Sequence, residues 1–293
     1  MPAAPRREFL RRTALITAAG AAALCSQAVP AADAPATVRV VDTNVHLGRW
    51  PFRRLPLDET AKLVAKLRAL GVQQAWAGTF DGLLQEDIAA VNARLAEDCR
   101  ASGGMLVPFG EINPALPGWE DELHRCHEAH RMPGLRLHPN YHGYTLNDPR
   151  FARLLALAAE RGMLLQIVVM MEDERTQHPL ARVPHVDVNL LPELLGNAPR
   201  ARVQLLNAFR SVRGQILLKL AATGRVFFEL ASLEGAGGVA ALLKQVPLDR
   251  VLFGSHAPFF YPESAHLKLL ESVLSAEQRT AIASGSAGKL LAG

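Results

Sequence analysis

Short apolar runs recur along this chain, and nearly every one ends in polar side chains. Val38–Val41 leads into Asp42, Asn44 and His46, and Leu135 and Leu137 frame Arg136 and His138. Val203–Leu206 ends in Asn207, Val226–Phe228 in Glu229, and Val251–Phe253 in Gly254, Ser255 and His256. Strands with apolar bodies and polar C-terminal ends suit a closed parallel barrel, whose helices cover the outside and whose active groups gather from several strands at one mouth. The pattern predicts an α/β protein with a (β/α)8 TIM-barrel fold, and an enzyme.

Strand and helix signals alternate to the end of the chain. Strands are expected near 38–44, 72–77, 105–111, 134–138, 164–170, 202–207, 226–231 and 251–256. Helices are expected near 58–70, 84–101, 119–130, 148–161, 189–197, 213–222, 236–245 and 263–291. Asp58 before Glu59, Asp148 before Pro149, and Pro192 mark helix starts. Gly71, Gly162 and Gly224 follow helical runs as terminating glycines do. The alternative, an open doubly wound sheet, lacks its glycine fingerprint after the first strand, and the polar ends do not cluster at one switch point. Two long loops, 139–144 and 171–189, leave the fourth and fifth strands on the side where substrate contacts collect.

The 293 residues accommodate one such barrel, typically about 250 residues long, and an N-terminal extension. Arg6-Arg7-Glu8-Phe9-Leu10-Arg11 is a twin-arginine motif, Thr13 to Leu24 an alanine-rich apolar stretch, and Ala32-Asp33-Ala34 a small-x-small cleavage signal. The expected division is therefore a twin-arginine signal peptide at 1–34 and a barrel domain at 35–293, with a periplasmic or secreted product. No stretch is long and apolar enough for stable membrane insertion after signal cleavage. Leu24 before Cys25 is a poor fit for lipid attachment. Cys99 and Cys126 fall on neighbouring helices, and their spacing does not decide whether they pair. Of 32 basic and 28 acidic residues, the first 34 positions hold four and two, so the body is nearly balanced. That balance gives no footprint for nucleic acid, and it leaves self-association open. The expected partner is a small molecule.

Period two places Asp42, Asn44 and His46 on one side of the first strand, the inside in a barrel. His46 reads as an acid/base, a substrate contact or a lone metal ligand, against a structural histidine. Arg136 shares a face with His138 and reads as the holder of a substrate carboxylate or phosphate, against an internal salt bridge to Glu111 or Glu229. His142 and Tyr144 sit on the following loop, and His178 on the next. Asn207 and Glu229 close the sixth and seventh strands, and a carboxylate as apolar in context as Glu229 needs a partner inside. His256 is the residue best placed to act as general acid/base, its ordinary pKa near ~6.5 suiting neutral pH.

Asp42-Thr43-Asn44-Val45-His46, Gly134-Leu135-Arg136-Leu137-His138-Pro139 and Leu252-Phe253-Gly254-Ser255-His256-Ala257-Pro258-Phe259 resemble the amidohydrolase superfamily, in the amidohydrolase-related branch with aminocarboxymuconate semialdehyde decarboxylase. The resemblance runs from about Val38 to Leu291 and implies a hydrolase or decarboxylase. It also implies a divalent metal held by His-x-His on the first strand, histidines on the fifth and sixth, and an aspartate on the eighth. Only His46 matches. Asn44 and Asn207 stand at histidine positions, His256 stands at the aspartate position, and Val168 to Met171 holds no histidine. The expectation is hydrolysis or decarboxylation of a small anionic or carbohydrate-derived substrate, without the usual zinc site. His46, His256 and Asn207 are the catalytic candidates, and Asn44, Arg136, His138, His142, His178 and Glu229 the substrate contacts. Any metal would sit at a rebuilt site on His46, His256 and either His138 or His178. A barrel that only binds a small ligand is the alternative.

Overall fold

A computed structural model describes residues 39–292. The segment 1–34, expected to be an export signal, lies outside the described residues. The strands are β1 (Val40–Leu47), β2 (Val72–Thr79), β3 (Leu106–Pro108), β4 (Gly110–Glu111), β5 (Gly134–Leu137), β6 (Leu164–Val168), β7 (Arg202–Leu206), β8 (Val226–Glu229) and β9 (Val251–Leu252). Each pairs in parallel with its neighbour in sequence, except across one break. That break divides the strand expected at 105–111 into two pieces, with β3 ending the sheet β1-β2-β3 and β4 opening the sheet β4–β9. Phe109 sits at the break, and its N–H still donates to Ala77 O at 2.8 Å.

The first strand also meets the far end of the chain. Thr43 N donates to Phe253 O at 2.9 Å, His256 N to Asn44 O at 2.8 Å and His46 N to Ala257 O at 2.9 Å. Residues 253–257, just beyond β9, thereby lie against β1. The architecture is the α/β barrel arrangement that the alternation predicts.

The helices follow local chemistry. They are α1 (Thr60–Ala69), α2 (Ile88–Ala101), α3 (Trp119–Glu128), α4 (Pro149–Glu160), α5 (Leu191–Asn197), α6 (Gly214–Ala222), α7 (Gly238–Leu242), α8 (Glu263–Glu271), α9 (Ala276–Thr280) and α10 (Ser286–Ala292). Asp148 caps α4 by accepting from Arg150 N, with Pro149 in the first turn. Asp58 does not cap α1; its carboxylate takes Arg54 Nη2 at 3.0 Å, and the helix begins two residues later. The single helix expected over 263–291 breaks after Glu271, restarts with a Ser275–Gln278 capping box, and passes through a π turn at Ala281–Gly285. Leu63, Val64 and Leu67 of α1 and Leu154, Leu155 and Leu157 of α4 join strand residues such as Val45, Leu135 and Leu165 in the layer between strands and helices. Fully burying one such leucine stabilises by roughly 1.5–3 kcal/mol.

Inside the strands the packing is polar. Arg136 on β5 donates from Nε to Gln166 Oε1 at 2.9 Å, from Nη1 to Val45 O at 2.6 Å and from Nη2 to Trp76 O at 3.1 Å. Gln166 passes the chain of bonds to Gln204 Oε1 at 2.8 Å, Gln204 to Thr43 Oγ1 at 2.7 Å, and Thr43 to Phe253 O at 2.8 Å. All four side chains are fully buried. Gly78 makes room, since a Cβ there would lie 2.6 Å from Arg136 Cδ. Above this crossbar the strand ends carry the site.

Candidate active site

Glu229, the last residue of β8, organises one half of the mouth. Its Oε1 accepts from Asn207 N at 2.7 Å and Asn44 Nδ2 at 3.3 Å, and its Oε2 accepts from Ala231 N at 2.5 Å. Burial raises its pKa, and these hydrogen bonds oppose the rise. A Cβ at Gly254 would lie 2.6 Å from Glu229 Oε2, so the glycine beside the carboxylate is a matter of space. Asn44 Nδ2 also donates to Asn207 Oδ1 at 2.9 Å, which orients the Asn207 amide. Asn207 Nδ2 then donates to Met170 O at 2.8 Å and faces His256 Nδ1 at 3.2 Å.

His256 is locked at the end of this relay. Its Nε2 lies 2.8 Å from Met171 O. A carbonyl only accepts, so Nε2 carries the proton and Nδ1 is left to accept from Asn207. Burial lowers its pKa to about 4. Asn207 and His256 both hold left-handed backbone, with φ of 54° and 58°, a conformation that costs a non-glycine residue on the order of 1 kcal/mol or more. Such strain is commonest where a side chain must be aimed.

His46 is the opposite case. Its ring is fully buried, stacks on Phe80 at 5.2 Å, and lies 5.6 Å from the His256 ring and 6.0 Å from the His138 ring. Neither ring nitrogen has a hydrogen-bond partner among the described residues. Burial first, then the charge of Arg136 and the neighbouring histidines, holds its pKa well below the ordinary histidine value. Beside it, His138 Nδ1 approaches Glu111 Oε2 at 3.1 Å, both side chains fully buried. His142 donates from Nε2 to Gly82 O at 2.9 Å, and burial takes its pKa down to about 4. Asn44 Oδ1, His138 Nε2, His142 Nδ1 and Tyr141 Oη also lack partners among the described residues. Buried polar atoms are nearly always hydrogen-bonded, so such a concentration marks a place built to meet a polar ligand.

Aromatic side chains roof these groups. Trp50, Phe80, Phe259, Phe52 and Tyr141 pack edge to face, with Trp50 ring centroids 5.1–6.2 Å from the other four. Phe259 stacks on His256 at 5.0 Å. Arg53 lies over the Phe259 ring at 5.3 Å and pairs with Glu172. A cavity of about 660 Å³ lies at the opposite end, lined by Val40 and Val72 where β1 and β2 begin, and contains none of these residues.

The structure thus brings together His46, Asn44, His138, His142, Asn207, Glu229 and His256. It places two expected contacts elsewhere. Arg136 donates to a side chain and two backbone carbonyls in the crossbar, not to either carboxylate considered for it. His178 is exposed at the rim, stacked on Phe52 at 4.9 Å, and its Nδ1 accepts from Leu180 N at 3.2 Å. His256, expected as the free base, has both ring nitrogens engaged, and the amide N–H groups of Asn44 and Asn207 are engaged as well. Sequence reasoning passed over Trp50, Arg53 and Phe80, and it considered Glu111 only as a partner for Arg136, whereas the carboxylate lies beside His138. Cys99 and Cys126 are both buried and free.

The metal implied by the family does not fit these residues. Of the positions that would hold it, Asn207 has both amide atoms in protein hydrogen bonds, Asn44 leaves only an amide oxygen, a poor ligand for a transition metal, His256 has no free nitrogen, and only His46 offers one. Among the described residues no group of three or more His, Cys, Asp or Glu side chains is placed to hold a metal ion.

A barrel with its polar groups at the strand ends defines an enzyme scaffold whose chemistry depends on the individual site. The Amidohydrolase family model matches residues 41–292, and the chain belongs to the amidohydrolase family. Solved structures share its fold. A 5-carboxyvanillate decarboxylase from Sphingomonas paucimobilis is 13% identical, with a TM-score of 0.69 over 87% of this chain and 99% of that one. A 2,6-dihydroxybenzoate decarboxylase from Rhizobium is 13% identical, with a TM-score of 0.65 over 86% and 99%. A 4-oxalomesaconate hydratase from Rhodopseudomonas palustris is 14% identical, with a TM-score of 0.65 over 86% and 95%. No curated protein matches the chain by sequence.

Proposed function

We propose that this amidohydrolase-superfamily enzyme decarboxylates a small, planar, anionic substrate by acid–base chemistry at His46. The observation that carries the proposal is the His46 ring, buried at the barrel mouth with both nitrogens unpartnered among the described residues. A carboxylate entering beside that ring opposes the effects that keep it neutral, so His46 takes up one proton from solvent as the substrate binds and becomes the imidazolium. The imidazolium, acidic because burial disfavours it, gives its proton to the carbon that bears the carboxylate. The electron pair of the breaking C–C bond returns to the ring system of the product as CO2 departs, and His46 ends neutral. The roof of Trp50, Phe80 and Phe259 keeps water from the carboxylate, which favours the loss of its charge. His138 with Glu111, and His256 with Asn207, hold the walls against which the substrate lies.

Hydrolysis, the other reaction expected from sequence, needs donors for a developing oxyanion, a task for which Asn44 and Asn207 carry suitable amide N–H groups. Those groups donate instead to Asn207, Glu229, Met170 and His256. The decarboxylases among the solved structures also support the choice. Export through the Arg6-Arg7 segment is part of the same proposal.

The test is a panel of small hydroxylated benzoic acids incubated with the enzyme in D2O, read by CO2 release and by deuterium at the vacated carbon. His46→Gln should lower turnover by about a hundredfold or more, the usual contribution of an acid–base group, with its circular dichroism unchanged. Hydrolysis of esters or lactones that depends on His46, with no CO2 release from the panel, overturns the proposal.

A further inference from the structure

We infer that Arg53 selects anions for this site by exchanging its partner Glu172 for a carboxylate of the entering molecule. The inference rests on the reading above that the site takes a small anion, and it names the residue that recognises the charge.

Sequence reasoning offered Arg136 for this role, but its guanidinium is fully buried and donates to Gln166, Val45 O and Trp76 O. Arg53 is differently placed. It stands on the loop after β1 with 41% of its side chain exposed, and it holds Glu172 of the loop after β6, whose side chain is 1% exposed. Its guanidinium also lies 5.3 Å from the centroid of Phe259, on the segment after β9. One cation therefore ties three loops together over the aromatic roof. Below that roof Phe259 stacks on His256, and Phe80 stacks on His46.

The tie is incomplete in a way that favours exchange. Arg53 bonds Glu172 through Oε1, while Glu172 Oε2 is buried without a partner among the described residues. A guanidinium is best matched by a carboxylate that takes two parallel N–H groups, so a carboxylate free to align makes a better partner than Glu172 does here. On exchange Glu172, left without its cation, takes up a proton from solvent, and the roof loosens as the anion arrives, whereas a neutral molecule offers Arg53 no charge to exchange for. The differential interaction that shifts the equilibrium is the charge of the ligand itself.

Benzoate and benzamide have nearly the same shape and differ in charge, and Trp50, 2% exposed within the roof, reports on both through its fluorescence. Trp50→Phe identifies the share of the signal that belongs to the roof. Wild type should bind benzoate at least tenfold more tightly than benzamide. Arg53→Gln should weaken benzoate binding at least tenfold and abolish the preference for benzoate over benzamide, and Glu172→Gln, which keeps the shape and removes the competing charge, should tighten benzoate. Equal benzoate affinity in wild type and Arg53→Gln overturns the role of Arg53 and leaves the proposal for His46 standing. Wild type that answers benzamide as strongly as benzoate, or answers neither, overturns the anionic-substrate reading itself and this inference with it.

Discussion

Replacing Asp42 with Asn should change how stability depends on pH, and by an amount the geometry bounds. Asp42 Oδ1 accepts from Asn44 N at 3.1 Å and Ser255 N at 2.9 Å, while Oδ2 is buried without a partner among the described residues. Burial pushes this carboxyl from 3.8 up to about 7, against hydrogen bonds from Ser255 and the Asn44 backbone. Between those values the native protein holds a proton that the unfolded chain has released. The stability Asp42 contributes is therefore complete below the unfolded value and is lost as pH rises toward 7. At about 1.4 kcal/mol per unit the loss amounts to up to about 4 kcal/mol. An asparagine keeps the Oδ1 acceptor, places an uncharged NH2 where Oδ2 stood, and does not titrate. His142 and His256, held at about 4 by burial, give the opposite slope, with stability lost as pH falls from their unfolded value near ~6.5. They are common to both proteins and cancel in the difference. Urea unfolding followed by circular dichroism from pH 4 to 8 should show Asp42→Asn gaining on wild type by up to about 4 kcal/mol across the window. A difference that stays constant with pH refutes the argument.

Arg136→Lys should destabilise the protein by about 3–5 kcal/mol with no ligand present, because one ammonium cannot serve Gln166, Val45 O and Trp76 O together. Thermal unfolding checks this, and a midpoint near wild type contradicts the crossbar role. Replacing Arg6-Arg7 with Lys-Lys should keep the full-length chain in the cytoplasm, read by fractionation in a host with a twin-arginine pathway; unchanged export of the variant excludes that route.

The barrel was legible because its two periodicities are strong and its polar residues fall at strand ends. Alternation along Asp42-Thr43-Asn44-Val45-His46 placed Asn44 and His46 toward the mouth, where they stand, but Thr43 also turns its hydroxyl inward to Gln204, because the pairing of β1 with β2 shifts register between Asp42 and Val45. What the sequence hid was the use each polar group makes of its neighbours. Arg136 and His256 carry the chemistry of a substrate anchor and a base, yet their donors and acceptors are taken by backbone carbonyls and side chains from distant strands. Such commitments depend on distances that no local pattern encodes. The crossbar left a trace that was readable in retrospect: Gln166 and Gln204 interrupt Leu164–Val168 and Arg202–Leu206 at inward positions. The break at Phe109 left one too, since Pro108 and Gly110 flank it and a proline within a strand has no N–H for the ladder. Arg53 was overlooked because it lies seven residues past His46, beyond the strand end, in a segment whose composition suggests an ordinary loop.

The crossbar also shapes which sequences can replace this one. Gln166 Nε2 donates to Gln204 Oε1 and to Thr43 O, and Gln204 Nε2 donates to Thr43 Oγ1. Changing one glutamine to leucine strands its partner's polar atoms in the interior, at about 1–3 kcal/mol for each unsatisfied group. Changing both glutamines and Thr43 together to apolar residues of matching size removes most of those orphans, and the combined change is far milder than the sum of the single ones. Drift through this interior therefore proceeds by linked replacements and is blocked at the intermediate steps. Relatives should carry the whole polar chain or a wholly apolar substitute, with few sequences between.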